Sequence, residues 1–259
     1  MSKLKINEIK KLLQEENIAE EFLEELKQDN RAGVKKLLAN FYNKKKEEER
    51  LKNEYAEKLV YENKLYNDGY EFVCGVDEVG RGPLAGPVVA ACVILKKDSY
   101  FAGLNDSKKL SKNKREQLFQ KIVKEALSYA VVSVDNREIE KHNIYNATKI
   151  AMLKAIKKLK IKPDFILIDA MPLDTKEIKN LSIIKGDTKS ISIAAASVIA
   201  KVYRDKYMCE MAKIYPNYDF ENNAGYGTKK HLEALEKYGI TPIHRRDFEP
   251  IKTMIKNKK

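Results

Sequence analysis

The chain has 259 residues, 43% of them hydrophobic, and a net charge of +12. That length suits one large α/β domain plus a small appendage, and that apolar share excludes global disorder. The longest apolar candidate, Val88 to Leu95, is strand length and far short of the roughly 18 residues that a membrane span needs.

The first 66 or so residues read as helical. Ile6, Ile9, Leu12 and Leu13 make one apolar stripe, and Ile18, Phe22 and Leu26 a second. A third helix starts near Arg31, with Val34, Leu37, Leu38 and Phe41 on one side, and enters the charged stretch Lys44 to Arg50. Lys before Glu is the less favourable helical order there, although opposite charges still meet four residues apart. Asn67-Asp68-Gly69 breaks the pattern. The expected division is a small all-helical N-terminal domain over residues 1–70 and a second domain over 71–259 that ends in a C-terminal helical segment.

From Glu71 the periodicity changes. Phe72 to Asp77 is a short apolar strand ending in acid, followed by a turn rich in glycine and proline (Gly80, Gly82, Pro83, Gly86, Pro87). Val88 to Leu95 and Tyr129 to Val134 are further strands, and Ala147 to Lys160 is a helix with Ile150, Leu153, Ile156 and Leu159 inward. Phe165 to Asp169 is a fourth strand, Leu181 to Ile184 a fifth, and Ser190 to Lys213 a long Ala-rich helix. Thr228 caps a last helix that ends near Tyr238, with Gly239 at its C-terminal turn. Strands followed by helices imply an α/β fold with a mixed central sheet.

Met1 to Gln14 carries scattered charge and no apolar core, so it is not expected to act as a secretory signal. Cys74, Cys92 and Cys209 form no C-x-x-C pair, and their odd number gives no disulfide framework. They read as small buried hydrophobes in a reduced, cytoplasmic protein. None of His142, His231 and His244 stands at zinc-ligand spacing from a cysteine. Residues 1–70 hold 15 basic and 15 acidic residues, so the whole excess of +12 lies in residues 71–259. A basic second domain points to a polyanion, although a Lys-rich composition alone gives the same excess.

Four acids carry the chemistry. Asp77 follows an apolar strand and Glu78 follows Asp77; Asp169 ends Phe-Ile-Leu-Ile; Asp187 sits in Gly186-Asp187-Thr188 before the long helix. If the first and fourth strands are neighbours, Asp77 and Asp169 face each other at the strand carboxyl ends, where open α/β sheets place their sites. Any one of these acids could equally be an exposed cap. Clustered together they repel, and need a cation. Oxygen ligands without thiol or imidazole suit Mg²⁺ or Mn²⁺, and two such ions form the usual clamp for phosphodiester hydrolysis. The N-terminus of the long helix is expected to help hold Asp187 ionised.

Gly80, Arg81 and Gly82 follow the first acid pair and suit close approach to a ribose 2′-hydroxyl, or a plain tight turn. Asp106-Ser107-Lys108-Lys109 is a loop that could contact phosphate or simply be solvated. Tyr226, between Gly225 and Gly227, is free to stack on a sugar or base, or to anchor its loop. Lys201 and Arg204 are neighbours on one face of the long helix, which reads first as scaffold.

Gly75 to Ala91, Asp106-Ser107-Lys108-Lys109-Leu110, Ile168-Asp169-Ala170, Gly186-Asp187 with the Ala-rich helix, and Gly225-Tyr226-Gly227-Thr228 together resemble the ribonuclease HII family, in the family's order across residues 71 to about 250. Ribonuclease HIII lacks the Gly-Arg-Gly form after the acid pair and resembles the chain less. The resemblance implies a ribonuclease H-like fold and catalytic metal ligands at Asp77, Glu78, Asp169 and Asp187, with two Mn²⁺ or Mg²⁺ ions in the reactive complex. It implies that Gly80, Arg81 and Gly82 recognise the ribonucleotide and that Tyr226 senses the junction to deoxyribose; Lys108, from its place in the loop, is expected to meet substrate. The implied substrates are RNA/DNA hybrid and DNA containing ribonucleotides, cut to leave 5′-phosphate and 3′-hydroxyl ends. A monomer without membrane attachment is expected. The segment His244-Arg245-Arg246-Asp247-Phe248 resembles a family tail with serine where Asp247 stands, and the extra acid is expected to weaken phosphate contacts slightly. The helical extension is expected to help hold the duplex, although its neutral charge argues against a strong electrostatic grip. Two other readings stay open from the residues: a DNA-specific nuclease or recombinase of the same fold, and a non-catalytic nucleic-acid-binding protein.

Overall fold

The computed structural model describes residues 4–15 and 18–257. Four helices come first: α1 (Ile6–Leu12), α2 (Glu20–Lys27), α3 (Ala32–Lys58) and α4 (Val60–Asn67). The chain divides into two units, Met1–Glu54 and Tyr55–Lys259. In the first, the apolar stripes converge: Ile9, Leu23, Leu26, Val34 and Leu38 form its core. The charged stretch stays helical because Arg50 pairs with Glu47 at 2.6 Å one turn back and with Glu54 one turn on.

The second unit takes in the end of α3 and all of α4. Tyr55 donates its hydroxyl to the Ser99 carbonyl at 2.8 Å. The remaining elements are β1 (Val73–Val79), β2 (Val88–Ile94), α5 (Lys112–Glu125), β3 (Ser128–Val134), α6 (Asn136–Lys158), β4 (Phe165–Asp169), β5 (Lys179–Ile183), α7 (Ile191–Ile214), α8 (Phe220–Asn223), α9 (Lys229–Tyr238) and α10 (Ile251–Lys256). The sheet runs β3-β2-β1-β4-β5. Its β3, β2 and β1 pair antiparallel, whereas β1, β4 and β5 pair parallel. The mixed sheet read from the sequence is present.

Helices cover both faces of this sheet, which is why β2 is buried along its whole length. Its Val88, Ala90, Cys92 and Ile94 pack with Ala147, Ala151, Met152 and Ala155 of α6. Its Val89, Ala91 and Val93 pack with Ala194, Ala195, Val198 and Ile199 of α7. The start of α7 lies directly on β1, because a side chain at Gly75 would collide with the backbone of Ser192 and Ile193. That contact aligns one helix N-terminus with the strand that carries Asp77 and Glu78.

Several elements differ from those the sequence predicts. The helix α5 has no counterpart among them; Ser111 caps it, accepting from the Lys114 amide at 3.3 Å, and it buries only Leu118 and Ile122. So thin an apolar stripe among lysines gives a weak periodic signal. The helix α6 starts at Asn136 rather than near Ala147, capped by Asp135, and is broken at Asn143, whose φ is 60°. The strand β1 continues past Asp77 to Val79, so Asp77 and Glu78 both lie within it.

Candidate active site

The parallel register of β1 and β4 pairs Val76 with Ile168. The next residues are Asp77, within β1, and Asp169, the last residue of β4, so these two acids stand side by side on adjacent strands. Asp77 is buried, and its Oδ1 accepts from the Glu78 amide at 2.7 Å. Asp169 Oδ1 accepts from the Gly186 amide at 2.6 Å. That bond ties the end of β4 to the single helical turn Gly186–Thr188, which presents Asp187.

These acids act on one another. Burial holds the Asp77 carboxyl well above the usual carboxylate range, and the Glu78 and Asp169 charges add to it. Burial also raises Glu78; the Arg81 charge opposes this shift, and Asp169 increases it. Asp169 is raised by burial, against the Gly186 amide and the Lys108 charge. Burial pushes the Asp187 carboxyl up to about 6, helped by Asp106 and Asp169 and opposed by Lys108. Asp187 precedes α7, and the first-turn amides of that helix are taken by other groups: Ile193 donates to the Ser190 hydroxyl at 3.2 Å, and Ser192 donates to a Glu62 carboxyl oxygen at 2.9 Å.

Asp106 is a further acid of this neighbourhood, since its charge is felt by both Asp169 and Asp187. In the sequence it stands in the motif Asp106-Ser107-Lys108-Lys109, where it is grouped with lysines and not with the four acids. Its loop is pinned from below: Ser107 and Ser197 share a hydrogen bond at 2.9 Å, and Arg115 donates to the Ser107 carbonyl at 2.7 Å. Lys108 is thereby exposed beside the acids.

The residues fit a divalent cation. Every candidate donor is a carboxylate oxygen, as hard cations prefer. Glu78 Oε2 is buried with no hydrogen-bond partner among the described residues, and burial, with the neighbouring acids adding to it, disfavours the charged form of all four carboxyls. Among the described residues no three acid, histidine or cysteine side chains are already drawn tightly enough together to hold an ion.

Beside the acids lies a glycine loop. Gly80 has φ +92°, and a side chain there would strike the Arg204 guanidinium. Gly82 faces the Tyr226 ring, 3.6 Å from where its Cβ would be. Tyr226 is 45% exposed. Thus Arg81, Gly82 and Tyr226 are exposed together, with Gly80 buried beneath them, although more than 140 residues separate the loop from Tyr226 in sequence. Arg81 reaches back to Glu78 at 3.6 Å.

Two fully buried arginines hold this arrangement, and no sequence pattern assigns either of them this role. Arg204 donates to the carbonyls of Pro87, Ala224 and Ala85 at 3.0, 2.8 and 3.1 Å. Arg245 donates to the carbonyls of Gly86, Arg81 and Gly80. Loop carbonyls lack ladder partners, and a guanidinium supplies five donors in a fixed fork. In the sequence Arg204 stands out only as a neighbour of Lys201, which instead pairs with Asp205 at 2.6 Å. Asp247 stands near Arg245 and favours its charged form. A histidine pair completes the support: His231 Nδ1 bonds the Tyr226 carbonyl at 2.8 Å, and His231 Nε2 meets His244 Nε2 at 2.9 Å.

A family model described as ribonuclease HII matches residues 74–251, and one described as the ribonuclease HII N-terminal domain matches residues 5–66. The chain is 52% identical to a ribonuclease HII of Geobacillus sp. (strain WCH70), covering 100% of this chain and 94% of that one. Among solved structures, ribonuclease H2 from Pyrococcus horikoshii OT3 superposes with a TM-score of 0.62 at 28% identity, over 71% of this chain and 97% of that one. Bst-RNase HIII, solved in complex with Mn²⁺, shares the fold with a TM-score of 0.51 at 20% identity, over 73% of this chain and 70% of that one.

Proposed function

The chain belongs to the ribonuclease HII family, and on that premise we propose that it is an endonuclease that hydrolyses the RNA strand of RNA/DNA hybrids. It also cuts on the 5′ side of single ribonucleotides embedded in duplex DNA, leaving 5′-phosphate and 3′-hydroxyl ends, and so removes ribonucleotides from DNA in the cytoplasm. The observation that carries this reading is the placing of Asp77 and Asp169 one step beyond the paired Val76 and Ile168. Both carboxyls are raised by burial and by neighbouring acids.

Asp77, Glu78, Asp169 and Asp187 hold the divalent ions. Bound there, two Mn²⁺ or Mg²⁺ ions supply charge that activates water and stabilises the leaving 3′ oxygen. The chain does the rest. The backbone of Gly80, Arg81 and Gly82 reads the ribose 2′-hydroxyl, and the exposed Gly82 sets no side chain in the way of a close approach. Tyr226, exposed beside Gly82, stacks on the following sugar and senses the junction to deoxyribose. Lys108 lies close enough to Asp169 and Asp187 to influence both, and it contacts a phosphate as that group enters. No helix among the described residues is long and apolar enough to cross a membrane.

The test is cleavage of a labelled DNA duplex carrying one ribonucleotide, beside an all-DNA control, with Mn²⁺, Mg²⁺ or chelator. A single metal-dependent cut 5′ of the ribonucleotide, with the control intact, is expected. Equal cutting of both duplexes would remove the ribose-reading role of the glycine loop and Tyr226.

A further inference from the structure

Glu62 is an unusual residue to find inside a protein. It is 1% exposed, on the short helix α4, at the end of the segment that matches the N-terminal family model. Its Oε1 accepts from the Ser190 hydroxyl at 2.6 Å and from the Ser192 amide at 2.9 Å. Burial raises its carboxyl against these two hydrogen bonds, and its Oε2 is buried with no hydrogen-bond partner among the described residues.

Ser190 is the N-cap of α7. Its hydroxyl accepts from the Ile193 amide at 3.2 Å while donating to Glu62. Glu62 and Ser190 thus satisfy the amides of both Ser192 and Ile193, two of the four that an α-helix leaves free at its start. The Ser190 amide in turn donates to the Gly186 carbonyl at 2.8 Å, and the Gly186 amide donates to Asp169 Oδ1 at 2.6 Å. An unbroken run of hydrogen bonds therefore leads from Glu62 through Ser190 and Gly186 to Asp169. Asp187 lies on the turn that this run secures.

We propose that Glu62 is a positioning residue for the Asp169 and Asp187 half of the acidic site, acting through the Ser190 cap. The proposal rests on the reading of those two acids as metal ligands. It explains why α4 packs where it does, since the helix braces the metal-binding turn from behind. The hydrogen-bond acceptor at Oε1 supplies the bracing, so a neutral acceptor of the same shape serves equally well.

Three variants of the full-length protein separate the possibilities, each checked for folding by circular dichroism before use. Glu62→Met fills the same space and accepts no hydrogen bond; Glu62→Gln keeps the acceptor; Asp187→Asn removes a proposed ligand. Mn²⁺ affinity is measured by titration calorimetry without substrate, and hybrid affinity separately in chelator. Glu62→Met is expected to weaken Mn²⁺ binding roughly 10-fold, the usual cost of removing a group that orients a metal ligand. Hybrid affinity stays unchanged and Glu62→Gln restores Mn²⁺ binding. Wild-type Mn²⁺ affinity in Glu62→Met, alongside its loss in Asp187→Asn, would overturn this proposal alone. Wild-type affinity in Asp187→Asn would overturn the metal reading and the proposal with it. A measurement without variants stands behind these. Coupling is reciprocal, so saturating Mn²⁺ should slow amide hydrogen exchange in α4 and at Ser192 and Ile193 of the unaltered protein. Exchange in α4 that ignores Mn²⁺ would also overturn it.

Discussion

The Arg245 guanidinium donates to the Gly80 carbonyl oxygen at 2.5 Å, so a residue near the chain's end sets the backbone of a loop that begins just after Glu78. The same side chain donates to the Arg81 carbonyl at 2.8 Å and to the Gly86 carbonyl at 2.9 Å. Arg245 is fully buried, and its forked donors cannot be replaced by water.

Arg245→Lys is expected to destabilise the protein by about 1–3 kcal/mol, since an ammonium cannot satisfy three divergent carbonyls. It should also lose discrimination between ribose and deoxyribose, because Gly80 and Arg81 would no longer be held. Chemical denaturation reads the first effect, and the ratio of cleavage rates on hybrid and all-DNA duplex reads the second. An unaltered ratio would show that the loop keeps its shape unaided.

Asp169 joins the end of β4 to the turn bearing Asp187 and repels Asp77 across the strand gap. Asp169→Asn should lower cleavage by at least about 10³-fold, as losing a member of a concerted site does. Binding to hybrid should survive and weaken with added salt. Single-turnover cleavage and fluorescence anisotropy measure the two. Retained cleavage would remove Asp169 from the proposed metal site.

Burial lowers His244 to about 4 and also lowers His231. A base whose folded value lies below its unfolded one binds more protons when unfolded. Its contribution to stability is therefore complete above about 6.5 and falls away as pH drops toward 4. For the buried His244 that loss amounts to about 3 kcal/mol at most. His244→Gln should flatten the stability profile over this window, measured by urea unfolding at each pH. A profile identical to that of the unaltered protein would mean that other groups govern the acid transition.

Tyr226 keeps its ring outside while its carbonyl is held by His231. Tyr226→Ala should cut cleavage at a single embedded ribonucleotide by roughly 10-fold or more, given about 1–3 kcal/mol for a stacking aromatic. Tyr226→Phe should retain most of it, since the ring does the stacking. Rates on single-ribonucleotide and long hybrid substrates test this. Equal losses on both would assign Tyr226 to general binding rather than to the junction.

Much of this arrangement is legible in the order of the residues alone. The run Phe165 to Asp169 is apolar until its last residue, and the strand it predicts is the one found. The placing of Asp77 beside Asp169 needs one further fact, that β1 and β4 are parallel neighbours, which no local pattern states. The helix α5 leaves little trace because two buried residues in a lysine-rich segment give almost no periodicity.

Near neighbours in the chain suffice to specify the strands, the long Ala-rich helix, the acids that follow apolar runs and the glycines between them. Packing in three dimensions alone selects which distant groups complete one another. Asp106 joins the acids by the folding of its loop, Arg204 and Arg245 satisfy carbonyls more than 100 residues away, and Glu62 meets Ser190 across 128 positions. A buried charge is tolerated only where the fold brings it partners, and those partners are chosen by proximity in space, which leaves no periodic trace along the chain.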